Sequence, residues 1–307
     1  MLSFAARRIA GMLPTLLCIV TLSFFVIRLA PGNPFSGEQS LPPPVRANLD
    51  HLYGLDRPLP VQYLRYLGAL AHGDFGPSFK VRDLNVGELI AAGLPLSARL
   101  GLCALMLAIA LGIPLGIAAA WAQGSVLDHL VTVLAVAAMT LPSFVLAPLL
   151  ALLFGLRWHL LPVAGWEPGE FRYLVLPLIT LALPVAAHLA RLTRASLLEV
   201  LSAGFVRAAR ARGLGEARVL WRHALRPALL PVVSYLGPAA AFVLTGSLVV
   251  ETVFGLPGTG RYLVEGAINR DYSLVMGMVV VYGALTLFLN LLADLTYAWL
   301  DPRVRHA

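Results

Sequence analysis

Charged residues are scarce in this chain, and acidic residues are scarcer than basic ones. Of its 307 residues 13% are charged, with 16 Asp and Glu against 23 Lys and Arg, whereas charged residues make up about a quarter of a soluble domain. Cysteine occurs only at Cys18 and Cys103. Both lie in apolar stretches, so we expect two buried thiols and no disulfide. This composition excludes an ordinary soluble domain and a disulfide-stabilised secreted one.

Patterns of catalysis and cofactor binding are also missing. The chain has no P-loop sequence, which excludes the usual cradle for ATP phosphates. Its histidines show no metal-ligand spacing, and Ser143 and Ser247 have no His and acid nearby in the sequence. The glycine-rich stretch 255–260 is interpreted as tight turns. We therefore expect no catalytic residue, no metal site and no cofactor in this chain. We also expect no nucleic-acid partner, because there is no basic patch on a soluble fold.

Apolar residues are abundant and occur in long runs. Hydrophobic residues make up 59% of the chain, and the mean hydropathy is +0.80. Runs of about 18 or more apolar residues are long enough to cross a hydrocarbon core as helices, and they lack the alternation of barrel strands. We predict an all-α integral membrane protein with six transmembrane helices, at residues 9–30, 100–121, 130–156, 173–192, 228–250 and 274–300. The first run is too long for a signal-peptide core and is interpreted as an uncleaved span.

Basic residues are distributed unevenly among the segments that connect these spans. With the N-terminus inside, the inner segments hold twelve basic and four acidic residues, and the outer segments hold eleven of each. Because Lys and Arg accumulate on the cytoplasmic side, both termini are predicted to be cytoplasmic. The net charge of +7 is then a consequence of membrane topology.

Residues 31–98 form the largest outer segment. Val45, Leu49 and Leu52 recur at helical spacing before Gly54, and a second amphipathic run, 61–71, precedes a glycine. We predict a small insertion of two helices, too small to be an independent enzyme. The residues leave open whether it covers the spans or docks an extracytoplasmic partner.

The most informative inner segment is basic and lies between two spans, at residues 205–231 (FVRAARARGLGEARVLWRHALRPALLP). Its first half has helical spacing: Phe205, Ala208, Ala209 and Arg212 share one face, with other arginines on a neighbouring face. Small alanines would permit close approach of a partner surface. The alternative to a partner-binding segment is a connecting loop whose arginines only place it on the cytoplasmic side of the membrane.

The middle of this segment has the pattern of a helix end. Gly213 stands where a helix C-cap needs a residue with positive φ, and Leu214 is placed for the hydrophobic contact that often accompanies such a cap. A second helix is expected from near Glu216 to Pro227, because an acidic residue favours a helix start and proline a helix end. We predict a short helix, a glycine bend and a second helix.

Polar residues within the spans have two interpretations each. His188 is expected to be neutral and hydrogen-bonded, with a functional role as the alternative. Asp294 is interpreted as an acid that reaches the membrane surface, with a polar contact to a partner span as the alternative. Four prolines are candidate bend points or static packing elements, namely Pro142, Pro148, Pro177 and Pro184.

These motifs together resemble a known transporter family. Arg207-Ala208-Ala209, Gly213 and the later residues 229–231 (LLP) resemble the cytoplasmic signature of ABC importer permeases, although Arg207 stands where that signature begins with glutamate. Further stretches resemble the dipeptide and oligopeptide permease group, namely 27–32 (IRLAPG), 73–76 (GDFG), 246–258 (GSLVVETVFGLPG), 269–272 (NRDY) and 301–303 (DPR). Residues 41–80 look most like the B-type subunit of oligopeptide permeases.

The resemblance implies a type I ABC importer permease fold with a periplasmic helical insertion after the first span. It divides the chain into the cytoplasmic N-terminus and first span (1–30), the insertion (31–98) and the permease core (99–307), which contains a coupling segment (194–227). In such permeases this segment sits in a groove of the ATPase subunit. The resemblance therefore assigns ATPase contact to Phe205, Arg207, Ala208, Ala209, Arg210, Ala211, Arg212, Gly213 and Leu214.

The resemblance also implies the partners and the cargo. They are a homologous second permease, one or two cytoplasmic ABC ATPases that bind ATP and Mg²⁺, a periplasmic peptide-binding protein and the lipid bilayer of the bacterial inner membrane, with oligopeptides as substrate. Dipeptides, glutathione, murein peptides and a nickel chelate remain alternatives within the family. Outside it, a stand-alone channel remains an alternative, as does an intramembrane enzyme, for which the sequence shows no catalytic Asp or Ser-His pair.

Overall fold

The structure is a computed structural model that describes residues 2–29, 42–80 and 84–300. Within these ranges the chain is almost wholly helical, and its one β-type pairing is an isolated bridge between Pro77 and Asn85. The start of the predicted insertion and the family-like residues 30–32 and 301–303 lie outside the described ranges.

Long apolar helices alternate with short connecting ones. In chain order they are α1 (Leu2–Leu29), α2 (Pro43–Leu52), α3 (Leu59–Ala71), α4 (Val86–Trp121), α5 (Val126–Thr140), α6 (Ser143–Leu150), α7 (Arg172–Leu201), α8 (Gly204–Ala211), α9 (Glu216–Arg218), α10 (Leu225–Ala228), α11 (Leu230–Phe254), α12 (Thr259–Ile268) and α13 (Tyr272–Leu300). Two π-helical turns, Ala151–Arg157 and Val219–Ala224, extend α6 and join α9 to α10. The two predicted insertion helices are present as α2 and α3, whereas α12 was not predicted.

Five of the predicted spans are present as single helices, namely α1, α4, α7, α11 and α13. The predicted span at 130–156 corresponds to a bent pair, because α5 and the helix that begins at Ser143 meet at an angle of 107°. The break includes Pro142, which has no backbone N–H and takes an extended ψ of 146°. A bend at Pro142 is thereby confirmed, while Pro148, Pro177 and Pro184 lie within helices. Helix α4 also begins at Val86, well before the predicted residue 100.

The first of two compact units comprises residues 1–9, 98–256 and 286–307. Helix α7 lies at its centre and packs against α5, α6 and α11. Most residues of α7 from Leu176 to Leu197 are buried, as expected for a helix that is largely covered by others.

Helices α4 and α7 approach closely in this unit. A Cβ added at Gly112 would lie 2.5 Å from the carbonyl oxygen of Ala186, and one added at Gly116 would lie 2.5 Å from that of Ala190. The same hypothetical Cβ at Gly116 would lie 2.6 Å from the Cβ of Thr193. Only glycine permits this spacing, which is typical of small residues at helix interfaces in membranes.

Substituting Gly116 by alanine is expected to lower the free energy of unfolding by about 1–3 kcal/mol, because the added methyl group overpacks the contact. The control is Gly68→Ala on α3, where nothing lies within 4 Å and alanine is the better helix former by about 0.5–1 kcal/mol. Thermal unfolding of the purified variants in detergent measures both effects. Equal unfolding temperatures for the two variants would contradict the close packing.

Two polar side chains of this unit contact other helices. Asp294 forms a salt bridge with Arg8 Nη1 of α1 at 2.8 Å, and its side chain remains 33% exposed; this contact is compatible with both interpretations of Asp294. His188 stacks on Tyr235 with ring centroids 4.1 Å apart, where we expected a hydrogen bond. Both residues therefore link apolar helices through polar or aromatic contacts.

The second compact unit comprises residues 10–97 and 257–285. An apolar cluster of Val20, Phe24, Met276 and Val280 joins α1 to α13, and aromatic residues of α3 pack against it. Tyr63 shares a 2.6 Å hydrogen bond with Thr21. Gly54 and Gly73 follow α2 and α3 with φ of 65° and 75°, which confirms both as helix-ending glycines.

The expectation of buried thiols was wrong. Cys18 on α1 and Cys103 on α4 are free and exposed on the surfaces of their helices. Apolar runs in a membrane protein have a lipid-facing or partner-facing side, so an apolar context did not imply burial within the chain.

Candidate functional site

The predicted coupling segment lies in the first compact unit, after the end of α7. It consists of α8, a bend at Gly213, α9, a π-helical turn and α10. The second helix does not end at Pro227 as predicted: α10 continues to Ala228, and Leu229 alone separates it from α11. The segment therefore leads almost directly into a transmembrane helix.

The bend has the geometry that the sequence predicted. Gly213 has a φ of 77°, and its N–H donates to the carbonyl of Arg210 at 2.9 Å. The N–H of Leu214 donates to the carbonyl of Ala209 at 3.4 Å. These paired bonds close a helix end of the Schellman type, which requires a left-handed residue.

Helix α8 has one buried face and one exposed face. Val206 and Ala209 form a cluster with Val219, and Leu214 packs against this cluster. The structure therefore places Ala209 in the interior of the chain, away from the face that we predicted it to share with Ala208. The difference arises because Val206, one residue after Phe205, sets the buried side of the amphipathic helix.

The exposed face carries the other predicted residues. Phe205 is 52% exposed, which is unusual for an aromatic side chain outside an apolar span. The other exposed residues of the predicted site are Arg207, Ala208, Arg210, Ala211, Arg212 and Gly213. An exposed aromatic side chain on a short helix that also carries exposed arginines and small residues is typical of a protein-docking surface.

The bend is bridged by an ion pair that the sequence analysis missed. Arg210 donates through two nitrogens to the carboxylate of Glu216, at 2.9 and 3.0 Å. Arg210 is thus held beside the bend, and Glu216 lies in the first turn of α9, where a negative charge is favourable. The spacing of six residues across a glycine is outside the usual pairs on one helix.

The segment is anchored to the ends of two long helices. Ala120 of α4 and Leu197 of α7 form a buried cluster with Leu220, Ala224 and Ala228. A neighbouring cavity of about 420 Å³ is lined by Ala120, Trp121, Gln123, Leu198, Leu201, Ser202, Arg210 and Glu216. A force applied to α8 would therefore reach α4 and α7 through packed side chains.

Family models match both parts of the chain. Residues 112–306 match the model described as binding-protein-dependent transport system inner membrane component. Residues 1–95 match the model for the N-terminal part of such membrane components. Together the two matches cover most of the chain.

Curated relatives match over the full length. The oligopeptide transport system permease protein OppB of Escherichia coli (strain K12) is 49% identical over 306 residues, covering 100% of both chains. The Haemophilus influenzae protein of the same name is 46% identical, also over 100% of both chains. The dipeptide transport system permease protein DppB of Bacillus subtilis is 39% identical over 305 residues, covering 99% of this chain and 98% of the relative.

These matches agree with the long apolar helices and with the exposed basic segment between α7 and α11. The chain belongs to the family of binding-protein-dependent transport system inner membrane components: it is an ABC importer permease with the type I importer fold, a multi-pass protein of the inner membrane.

Proposed function

We propose that this permease forms half of a pore that imports oligopeptides. The observation that carries the proposal is the 49% identity over the full length to an oligopeptide permease subunit. Dipeptide transport is the second candidate, favoured by the 39% identity to a dipeptide permease.

The proposed partners are the other subunits that an ABC importer of peptides requires. A homologous second permease completes the pore, and a periplasmic binding protein delivers the peptide. One or two cytoplasmic ATPases bind ATP and Mg²⁺, since the sequence of this permease has no P-loop. The excess of basic residues in its inner segments supports cytoplasmic termini.

Helix α8 serves in this proposal as the coupling helix. Its exposed face, centred on Phe205, enters a groove of the ATPase, while its buried face stays fixed to the permease through Val206 and Ala209. Closure of the ATPases displaces α8, and the packed ends of α4 and α7 follow. The importer changes between inward-facing and outward-facing states because ATP binding favours one of them.

Substituting Phe205 by alanine tests this assignment. We expect the tagged wild-type permease to co-purify with a second permease and ATPases. The amount of ATPase that co-purifies with the variant should be at least about tenfold lower, since a central aromatic anchor contributes about 2 kcal/mol or more to binding. The matched control is Phe171→Ala, which removes a comparably exposed ring (63%) from the residue just before α7, at the end of that helix away from α8.

Uptake in proteoliposomes tests the substrate. The complex with its binding protein is expected to import labelled oligopeptides in an ATP-dependent manner, with weaker competition by dipeptides. The purified permease alone is expected to hydrolyse no ATP. Retention of the ATPase by the Phe205 variant, or conduction of ions without ATPases, would contradict the proposal.

A further inference from the structure

We propose that Asp128 and Arg194 are positioning residues that join the start of α5 to the end of α7, so that α5 moves with the coupling helix. This inference rests on the proposed role of α8. The hydrogen bonds of the pair that the structure describes join it to Gly124 and Ser125, and none of these involves α8. The pair would act one step further along the path by which movement enters the membrane part of the permease.

The geometry of the pair fixes the orientation of both side chains. Arg194 donates through Nε to one carboxylate oxygen of Asp128 and through Nη2 to the other, at 2.8 Å for the second contact. Such a two-point contact between planar groups is more directional than a single hydrogen bond. It therefore restricts rotation and sliding of α5 against α7.

Asp128 is held from its own side as well. The backbone N–H of Gly124 donates to its carboxylate at 3.0 Å, and its own N–H donates to Ser125 Oγ, the N-cap of α5. The residue is only 3% exposed. A carboxylate so enclosed transmits a displacement of Arg194 to the connection between α4 and α5.

Apolar contacts link the same place to α8. Arg194 lies two turns before the end of α7, and the last turns of α7 pack through Leu197 on the cluster with Leu220. Val200 and Leu201 pack on the buried face of α8. The path from α8 to Arg194 therefore runs through packed apolar side chains, of which Val200 and Leu201 are partly buried and Leu197 is fully buried.

The contacts from α8 through Arg194 lead to the bent helix pair α5 and α6. Helix α5 leads to the 107° break before α6, and α6 packs against α7 and α11. Packing of Ala135 and Ala138 on Ala187 holds the second half of α5, but apolar contacts of this kind are non-directional. The ion pair supplies that restraint at the start of α5.

Distances between spin labels test the pair in the assembled complex. Labels are placed at Val126→Cys on α5 and Ala217→Cys on α9, in a background with Cys18→Ser and Cys103→Ser, because both native thiols are exposed. With the ion pair intact we expect the distance between the two labels to have one narrow distribution. This distribution should be the same without nucleotide and with ATP trapped, because α5 and the coupling segment move together. Arg194→Gln is expected to broaden the distribution, and Arg194→Lys to do so less.

The control variant is Arg191→Gln, which removes an exposed arginine from α7 one turn earlier and should leave the distribution unchanged. A wild-type distance that shifts on ATP trapping, or an unchanged distribution in Arg194→Gln, would overturn the proposal.

Transport stoichiometry provides a second readout that simple loss of stability would not change. Arg194→Gln and Asp128→Asn should each raise the ATP hydrolysed per peptide imported by about 3- to 10-fold, and the double variant should do no more, since both changes remove one contact. Unchanged stoichiometry would count against the pair. If the wild-type complex hydrolyses ATP but imports no peptide, the proposed function fails while the label distances still decide the role of the pair.

Discussion

Replacing Gly213 by valine is expected to uncouple ATP hydrolysis from peptide uptake. The residue has a φ of 77°, a conformation that costs an L-residue about 1–2 kcal/mol and is a genuine outlier for a β-branched one. Nothing lies within 4 Å of a Cβ added there, so the penalty is in the backbone. Valine should move to negative φ, which breaks the bonds that close α8 and redirects its exposed face.

The measurement compares uptake and ATPase activity of the complex in proteoliposomes. We expect a fall in uptake of at least about tenfold, the effect of about 1.4 kcal/mol, with membrane insertion unchanged. Gly204→Val is the matched control, because Gly204 begins the same helix, has no positive φ and also has nothing within 4 Å. Normal uptake by the Gly213 variant, or an equal loss in both variants, would count heavily against the coupling role of the bend.

Substituting Asp271 by alanine is expected to destabilise the second compact unit by about 3 kcal/mol or more. The carboxylate is 1% exposed and accepts hydrogen bonds from Ser78 Oγ and Phe79 N, and from Leu274 N in the first turn of α13. Alanine removes the shared acceptor of these three hydrogen bonds, and the loss of a hydrogen bond to a charged group costs about 1.5–3 kcal/mol. The contact between the insertion and α13 should therefore loosen.

Limited proteolysis and thermal unfolding in detergent measure this effect. Asp74→Ala is the control, since Asp74 is an exposed carboxylate of the same unit that accepts one turn hydrogen bond, from Gly76 N at 2.8 Å. The Asp74 variant should lower the free energy of unfolding much less than the Asp271 variant does. Indistinguishable unfolding temperatures would show that the contact of Asp271 with residues 78–79 does not stabilise the unit.

Features set by neighbouring residues could be predicted from the sequence. The apolar runs located five single-helix spans, because the length of a run decides whether a helix can cross the hydrocarbon core. The glycines at 54, 73 and 213 ended their helices as expected, because a left-handed helix end is a local backbone requirement. The motifs also identified the permease family that the comparisons confirm.

Features set by which surfaces meet required the tertiary structure. The sequence could not show that Val206 and Ala209 turn inward, that α5 and α6 meet at 107°, or that the cysteines are exposed. It gave no sign of the pairs Arg8–Asp294 and Arg194–Asp128, or of the contact between Ser78 and Asp271. These pairs join residues at least 66 positions apart, and pairing over such separations depends on helix packing rather than on any pattern within one segment.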